Sequence, residues 1–476
     1  MNLIENLIVL STLSENLIES LTPFPMISPP RTYHYHNAEY IVRRLQQHGH
    51  RALLAGGCVR DLILGTSPKD YDVATSARPE QVEAIFEQTI PVGRDFGVML
   101  LVLDGQNYEV ATFRTEDTYS DGRHPDRVEF AGATEDARRR DFTINGMFWD
   151  PVAGRLIDTV GGEADLRDRR IRAIGDPERR FREDHLRLVR AIRFAARLGF
   201  HIEPATRRSL QQNVHLTTRV AAERLQQELR VILTDRNPAA ALRLMHRVGM
   251  LFRIFPELES TQGCEQPENY HPEGDVFVHT LLSVEKLGPY PDFEVALATL
   301  LHDVGKPPAN ESRDDMRFPE HERIGKEITE RICRRLRLPT RETERIGWLI
   351  KYHLYFKDAE KMNDSTLKNL FAEPGFGQLC EVVRADALAS WGCLDELDYV
   401  LQKREEFSEE EISPPRLIDG HDLIEMGYRP GPAFGEILDD IREKQLDAEI
   451  TDRKEALREA KRIAEEMDAP RRKPEK

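Results

Sequence analysis

Apolar positions between residues 40 and 160 come in short runs of two different periods. "RALLAGG" (51–57) reads as a strand running into a glycine turn, and "CVRDLIL" (58–64) restarts with helical spacing up to Gly65. "YDVATSA" (71–77) is the next strand, and "RPEQVEAIFEQ" (78–88) is a helix with Pro79 near its start. "GVMLLVLDG" and "YEVATFR" predict two strands joined across "DGQN" as a hairpin. A helical pattern at 40–47 precedes all of these and ends near Gly49. The mixture predicts an α+β head built on a small, mostly antiparallel mixed sheet. The polar stretch "TEDTYSDGRHPD" (115–126) reads as a loop. After about residue 160 strands vanish, and helical patterns follow at 178–198, 204–213, 219–233 and 238–248, then on to about 400. "EEFSEEEISPP" separates a last helical unit, 415–467, and no fixed-period repeat is visible.

Composition narrows the class. With 476 residues, 40% hydrophobic and 32% charged, the chain is globular and long enough for about three domains. Its net charge of −16 argues against a generic polyanion binder, but arginine is dense between Arg138 and Arg197, so a local basic surface is expected. The five cysteines form no CxxC pair, which points to a reducing cytoplasm and to no thiolate metal site. No apolar run reaches the roughly 18–20 residues of a membrane span. Residues 1–35 read as an extension and linker, with Glu5, Glu15 and Glu19 making a poor signal peptide.

The chemistry begins at "PKDYDVAT" (68–75), where Asp70 and Asp72 stand two apart. On a strand such residues share a face, and two like charges there repel unless a cation lies between them. A solvated strand end is the plain alternative. Upstream, Gly56 and Gly57 lie between a strand and a helix, so backbone N–H groups can approach a phosphate, with Arg60 one turn further on. Glu109 in "YEVATF" is either an exposed strand residue or a third carboxylate of the same site. Strand, GG, helix and DxD in this order resemble the nucleotidyltransferase superfamily, whose carboxylates hold two Mg²⁺ ions.

Three further stretches sharpen the resemblance. "RRRDFTINGMFWD" (138–150), "DTVGGEADLRDRRIRAIGDPERRFREDHLRLVRAIRFAARLGF" (158–200) and "AAERLQQEL" (221–229) are similar, in order, to motifs of the class II tRNA nucleotidyltransferases (CCA-adding enzymes) and bacterial poly(A) polymerases. The resemblance implies a two-metal head (36–157), a helical neck that selects the nucleotide (158–250), a helical body (251–404) and an RNA-binding tail (405–476). Asp184 and Arg187 in "EDHLR" are i and i+3, neighbours if helical. Aspartate offers acceptors and arginine donors, a pairing that fits the amino edges of C and A and rejects U and G. An ordinary intrahelical ion pair is the alternative. The resemblance gives Arg190 and Arg193 triphosphate and sugar contacts and sets Arg140 and Asp141 near the incoming nucleotide, while Asn145 is expected to fasten the local fold.

A second constellation lies downstream. His279, then His302 and Asp303 in "LLHDVGK", then His321, His353 and Asp386 follow the ligand order of HD-domain phosphohydrolases, with Lys306 able to meet a phosphate. Such ligands suit Mn, Fe, Ni or Mg; histidines that only pack are the alternative. The tail resembles the family's elbow-supporting unit. The reading is CCA addition to the tRNA 3′ end from CTP and ATP, with A addition alone, poly(A) synthesis or a chiefly HD phosphohydrolase as rivals. "VGRDFGVM" places Asp95 where the poly(A) polymerases carry a second basic residue, which favours tRNA.

Overall fold

The computed structural model describes residues 27, 30, 32–117, 127–267, 269, 271–310, 317–467 and 469–470. Most of the N-terminal extension and residues 118–126 of the polar stretch lie outside the described residues. The chain forms two compact units. One holds residues up to Ile232 with Ala240–Pro256; the other holds Leu233–Ala239 and Glu257 onward.

The first unit is built on a seven-stranded sheet. Its strands are β1 (Ala52–Ala55), β2 (Asp72–Thr75), β3 (Thr89–Gly93), β4 (Val98–Leu103), β5 (Gln106–Thr112), β8 (Phe148–Asp150) and β9 (Arg155–Ile157). Spatial order is β3-β4-β5-β2-β1-β8-β9. Every pairing is antiparallel except β2 with β5. β1 is buried along its whole length because both faces are covered. One face carries Leu53, Ala55, Ala74, Phe113 and Phe148 with Ala133 and Ala137 of the following helix. The helix Tyr33–Gln47 packs against β1, and Tyr35 accepts a hydrogen bond from Trp149 Nε1 at 3.1 Å.

Several expectations need correction. The strand begins at Asp72, so Asp70 precedes it instead of sharing it. The polar stretch does not start as a loop: β6 (Arg114–Asp117) and β7 (Arg127–Phe130) pair antiparallel, because the chain can extend its hairpin before turning. Strands do not vanish after 160, since Arg170–Ile171 pairs with His201–Ile202. The predicted helix 178–198 is broken into Pro177–Glu183 and Leu186–Leu198. The break is chemical: Asp184 is extended (φ −140°), and its Oδ1 accepts the Leu186 N–H at 3.1 Å, so a short polar side chain starts the second helix.

The second unit is helical. At its centre Phe293–Leu301 ("FEVALATLL") is buried all round apart from Glu294, as its almost wholly apolar sequence requires. Val276–Lys286, Thr340–Tyr352 and Phe376–Ala389 pack against it, and His321–Arg335 packs against Thr340–Tyr352. Two glycines permit a close backbone approach: a Cβ on Gly305 would stand 2.0 Å from the His321 carbonyl and 2.6 Å from Gly325 N. Further on, Ile418, Leu423, Tyr428, Ile437, Ile441, Ala456 and Ala460 form a separate small core. Among the described residues no helix is long and apolar enough to cross a membrane.

Candidate active site

In the first unit a cavity of about 680 Å³ is lined by Gly56, Gly57, Arg60, Arg140, Asp141, Asp184, Arg187, Arg190 and Arg193, every one of the predicted nucleotide-contacting residues, together with Asp72. Nine arginines face three aspartates in its wall. Such a lining attracts a polyanion.

Asp72 opens β2 on the cavity wall, and the parallel register of Val73 with Val110 sets Glu109 beside it on β5. Asp72 remains reachable by solvent, yet protein packed behind its carboxyl raises its pKa to about 6, with the charges of Glu109 and then Asp70 adding to the effect against Arg140. Three carboxylates thus act on one another electrostatically, and the donor set is all oxygen, which fits a hard divalent cation. They are less tightly gathered than the groups of the second unit, which hold all the described His, Cys, Asp and Glu sets within 4.8 Å.

Gly56 has φ 76°, and a Cβ there would lie 2.9 Å from Arg140 Nη1, so a glycine is required at this turn. Gly57 does not share the requirement, because its Cβ would meet only ordinary contacts. Arg60 is buried and already held, donating to Asn145 Oδ1 at 2.8 Å and to Asp61 at 2.8 Å. Asn145 also donates to Asp141 Oδ1, which is the fastening role expected of it. Burial pushes the Asp141 carboxyl up, but Arg190, at 2.7 Å, and hydrogen bonds from Asn145 and the Phe142 N–H hold it far below the usual range. Burial lowers Arg190 as well, and Asp141 and Glu228 outweigh it and keep the guanidinium charged. Arg193 pairs with Glu228 at 2.8 Å.

Asp184 and Arg187 do not form the expected helical pair. Asp184 lies between helices, where Arg224 grips both of its oxygens at 3.0 and 2.9 Å. Arg187, on the second helix, donates to Glu183 Oε2 and to the backbone carbonyls of Arg180 and Arg139. Both side chains still line the cavity. Residues that sequence reasoning missed are Phe96, Arg114, Arg139, Phe194, Arg197 and Arg224. Arg224 and Glu228 stood in the "ERLQQE" of the neck motif, the signal that could have found them. Phe194 is a post under three guanidiniums, those of Arg60, Arg190 and Arg193 at 5.3, 5.4 and 4.5 Å from its ring centre.

In the second unit the six predicted HD residues converge. His279 Nε2 lies 2.9 Å from Asp386 Oδ1 and 3.3 Å from His302 Nε2. Asp303 Oδ1 lies 3.4 Å from His321 Nε2 and 4.0 Å from His353 Nε2, and Lys306 pairs with Asp303 Oδ2 at 2.7 Å. Two ligand sets result, His279–His302–Asp386 and Asp303–His321–His353. Nδ1 of His302, His321 and His353 each faces a carbonyl three residues earlier, at 2.8, 2.8 and 2.6 Å, which turns Nε2 inward as a lone pair. The buried Nε2 atoms of His321 and His353 and Oδ1 of Asp303 have no hydrogen-bond partner, while Oδ2 of Asp303 is held by Lys306. Orphans of this kind at a convergence of imidazole and carboxylate fit a divalent metal. Burial drives His353 down to about 3, with the charges of His302 and His321 adding to it, so its imidazole stands neutral. Burial also lowers His279, but Asp386 and Glu273 outweigh it and raise the group to about 9.

Residues 52–172 match the poly A polymerase head domain, residues 199–261 the probable RNA and SrmB-binding site of polymerase A, and residues 277–390 the HD domain. Domains of the first and last kind generally use divalent metals. The chain is 41% identical over 220 residues to a CCA-adding enzyme of Bacillus pumilus (46% of this chain, 54% of that protein). It is 44% identical over 211 residues to one of Geobacillus stearothermophilus (44% and 52%). The aligned part thus spans about half the length of these curated relatives. In fold it is similar to the Bacillus stearothermophilus CCA-adding enzyme crystallised with CTP, at TM-score 0.69 and 28% identity over 92% of this chain and all of the other. A Thermotoga maritima CCA-adding enzyme complexed with tRNA shares the fold at TM-score 0.56 and 24% identity, covering 94% of this chain and 98% of that one. The chain thus carries segments that match a poly A polymerase head, an RNA-binding site of polymerase A and an HD domain, and in part of its sequence and in its fold it is similar to CCA-adding enzymes.

Proposed function

We propose that the chain transfers CMP and AMP from CTP and ATP to the 3′ end of tRNA without a nucleic acid template. The observation that carries this reading is an arginine-rich cavity that brings Asp72 together with Asp184 and Arg187. Asp70, Asp72 and Glu109 are the catalytic carboxylates and would hold Mg²⁺. When bound there, magnesium lowers the pKa of the attacking 3′-hydroxyl and draws charge off the triphosphate. Arg140, Arg190 and Arg193 take the phosphates and sugar, with Gly56, Gly57 and Arg60 shaping the turn beneath them and Asp141 fixing Arg190. Asp184 accepts from the amino group of cytosine or adenine and Arg187 donates to the ring acceptors, so U and G present the wrong edge. The two residues do this from a helix break instead of from one helical face, each held by its own partner.

The head is assigned to residues 36–157, the neck to 158–250, the body to 251–404 and the tail, with the body, to RNA. Five free cysteines accord with work in the cytoplasm. Sequencing the 3′ ends made from tRNA lacking CCA, tRNA ending in CC and a generic RNA tests the reading. CCA on the first and A on the second are expected. A alone on the second points to an A-adding enzyme, and tracts of A on the third to a poly(A) polymerase.

The body supports a second activity, metal-dependent phosphohydrolysis of cyclic nucleotides or simple phosphate esters. The orphaned buried atoms of Asp303, His321 and His353 favour it. His279, His302, Asp303, His321, His353 and Asp386 would hold Ni, Mn, Fe or Mg, and Lys306 would meet the phosphate. His302→Ala with Asp303→Ala should remove this hydrolysis and leave nucleotide addition intact. Wild-type protein that binds no transition metal and hydrolyses nothing would overturn it.

A further inference from the structure

Three of the four HD histidines are keyed in the same way, by the carbonyl three residues earlier. His279 is not. It sits inside the helix Val276–Lys286, its own N–H goes to the Asp275 carbonyl, and the Val276 carbonyl three residues back accepts the Thr280 hydroxyl at 2.8 Å. Its Nδ1 instead lies 2.5 Å from Glu273 Oε1, a close ion-pair contact without hydrogen-bond alignment. The Glu273 side chain is 6% exposed, and it contacts no lysine or arginine in the described ion pairs, only the imidazoles of His279 and, at 3.1 Å, His271. Residues 271–273 precede the stretch that matches the HD domain.

We infer that Glu273 is the positioning residue of His279, holding its ring with Nε2 turned towards Asp386 and His302. This rests on the reading of the body as a metal site. A carboxylate set against Nδ1 does more than a carbonyl: its negative charge makes Nε2 a stronger donor to a cation. The two ligand sets are therefore unequal, and the set containing His279 takes the first ion. The trio His271–Glu273–His279 also lies within 4.8 Å, so its own occupation by an ion is the competing explanation.

The test compares wild type with Glu273→Ala, Glu273→Gln and His271→Ala, measuring Ni²⁺ and Mn²⁺ affinity and stoichiometry by equilibrium dialysis, with thermal unfolding as the check on folding. Glu273→Ala should lose about tenfold or more in affinity for the first ion. Glu273→Gln should lose less, because its amide oxygen keeps a partial negative charge against Nδ1. His271→Ala should leave affinity and stoichiometry unchanged. A lower Tm with unchanged affinity in the folded Glu273→Ala protein would overturn the inference, and so would loss of an ion in His271→Ala. Wild type without metal would overturn both this inference and the metal reading beneath it, whereas metal-replete wild type with an indifferent Glu273 would overturn this one alone.

Discussion

If Asp184 reads the base, then Arg224 governs selectivity without touching it. The perturbation is Arg224→Met, which keeps the length of the side chain and removes both bonds to the Asp184 carboxylate, at 3.0 and 2.9 Å. Hydrogen bonds to charged groups contribute about 1.5–3 kcal/mol each when well buried. Here the side chains are 25% and 17% exposed, so solvent screening reduces the pair to about 1–2 kcal/mol in all. Released, Asp184 can turn away from the amino group it must meet. Discrimination of C and A against U and G should then fall by about 5- to 30-fold. The assay is kcat/KM for single addition of each of the four nucleotides to tRNA lacking CCA. Arg224→Lys should fall between, since an ammonium cannot grip both oxygens at once. A folded Arg224→Met enzyme with unchanged selectivity, or one that loses equally on all four nucleotides, would refute the reasoning.

Asp72→Asn and Glu109→Gln should each reduce nucleotide transfer by more than about a hundredfold while tRNA affinity, followed by filter binding, stays the same; near-normal turnover by either would remove that residue from the catalytic group. Asp136 is buried, which raises its carboxyl, but Arg139 and Arg140 more than reverse this and leave its folded pKa below the unfolded value of about 3.9. Its stabilisation is therefore complete above about pH 4 and lost as pH falls through the folded pKa. Asp136→Asn should be less stable by about 1–3 kcal/mol at pH 7, and urea unfolding of the two proteins should converge once pH falls below the folded pKa; a gap that persists in acid would mean that the ion pairs are not its source. His353→Asn should bind one ion fewer by metal analysis, and full stoichiometry in that variant would assign the second ion elsewhere.

Much of the site was legible because its residues travel in dense motifs. Gly56, Asp72, Arg140, Asp184 and Arg190 were found from spacing and resemblance, and the fold gathers them on one cavity. From sequence Glu109 is a third carboxylate or an exposed strand residue, and only the parallel register of β2 with β5 sets it beside Asp72. The geometry of the neck was not legible. The apolar spacing of 178–198 is continuous across Asp184, so nothing in the period marks the break; the side-chain bond to the Leu186 N–H decides it. Phe96 stands in "VGRDFGVM" and Arg114 ends "YEVATFR", but nothing in either stretch marks them as wall residues, and tertiary placement alone makes them so. The body shows the same limit: ligand order revealed six residues, while Glu273, on a loop ahead of the helices, carries no pattern at all.

The contact of Gly305 with the start of the His321 helix has a bearing on how any saturation-mutagenesis map of this chain is to be read. Every side chain at 305 must displace a backbone carbonyl, so no substitution there is mild, and the residue displaced carries an HD imidazole. Position 305 will therefore score as intolerant as the histidines, although it has no group that can bind or react. The two kinds of intolerance separate by what tempers them. Exchange of histidine for aspartate can preserve some function at a ligand, whereas at Gly305 alanine, the smallest change available, is already too large.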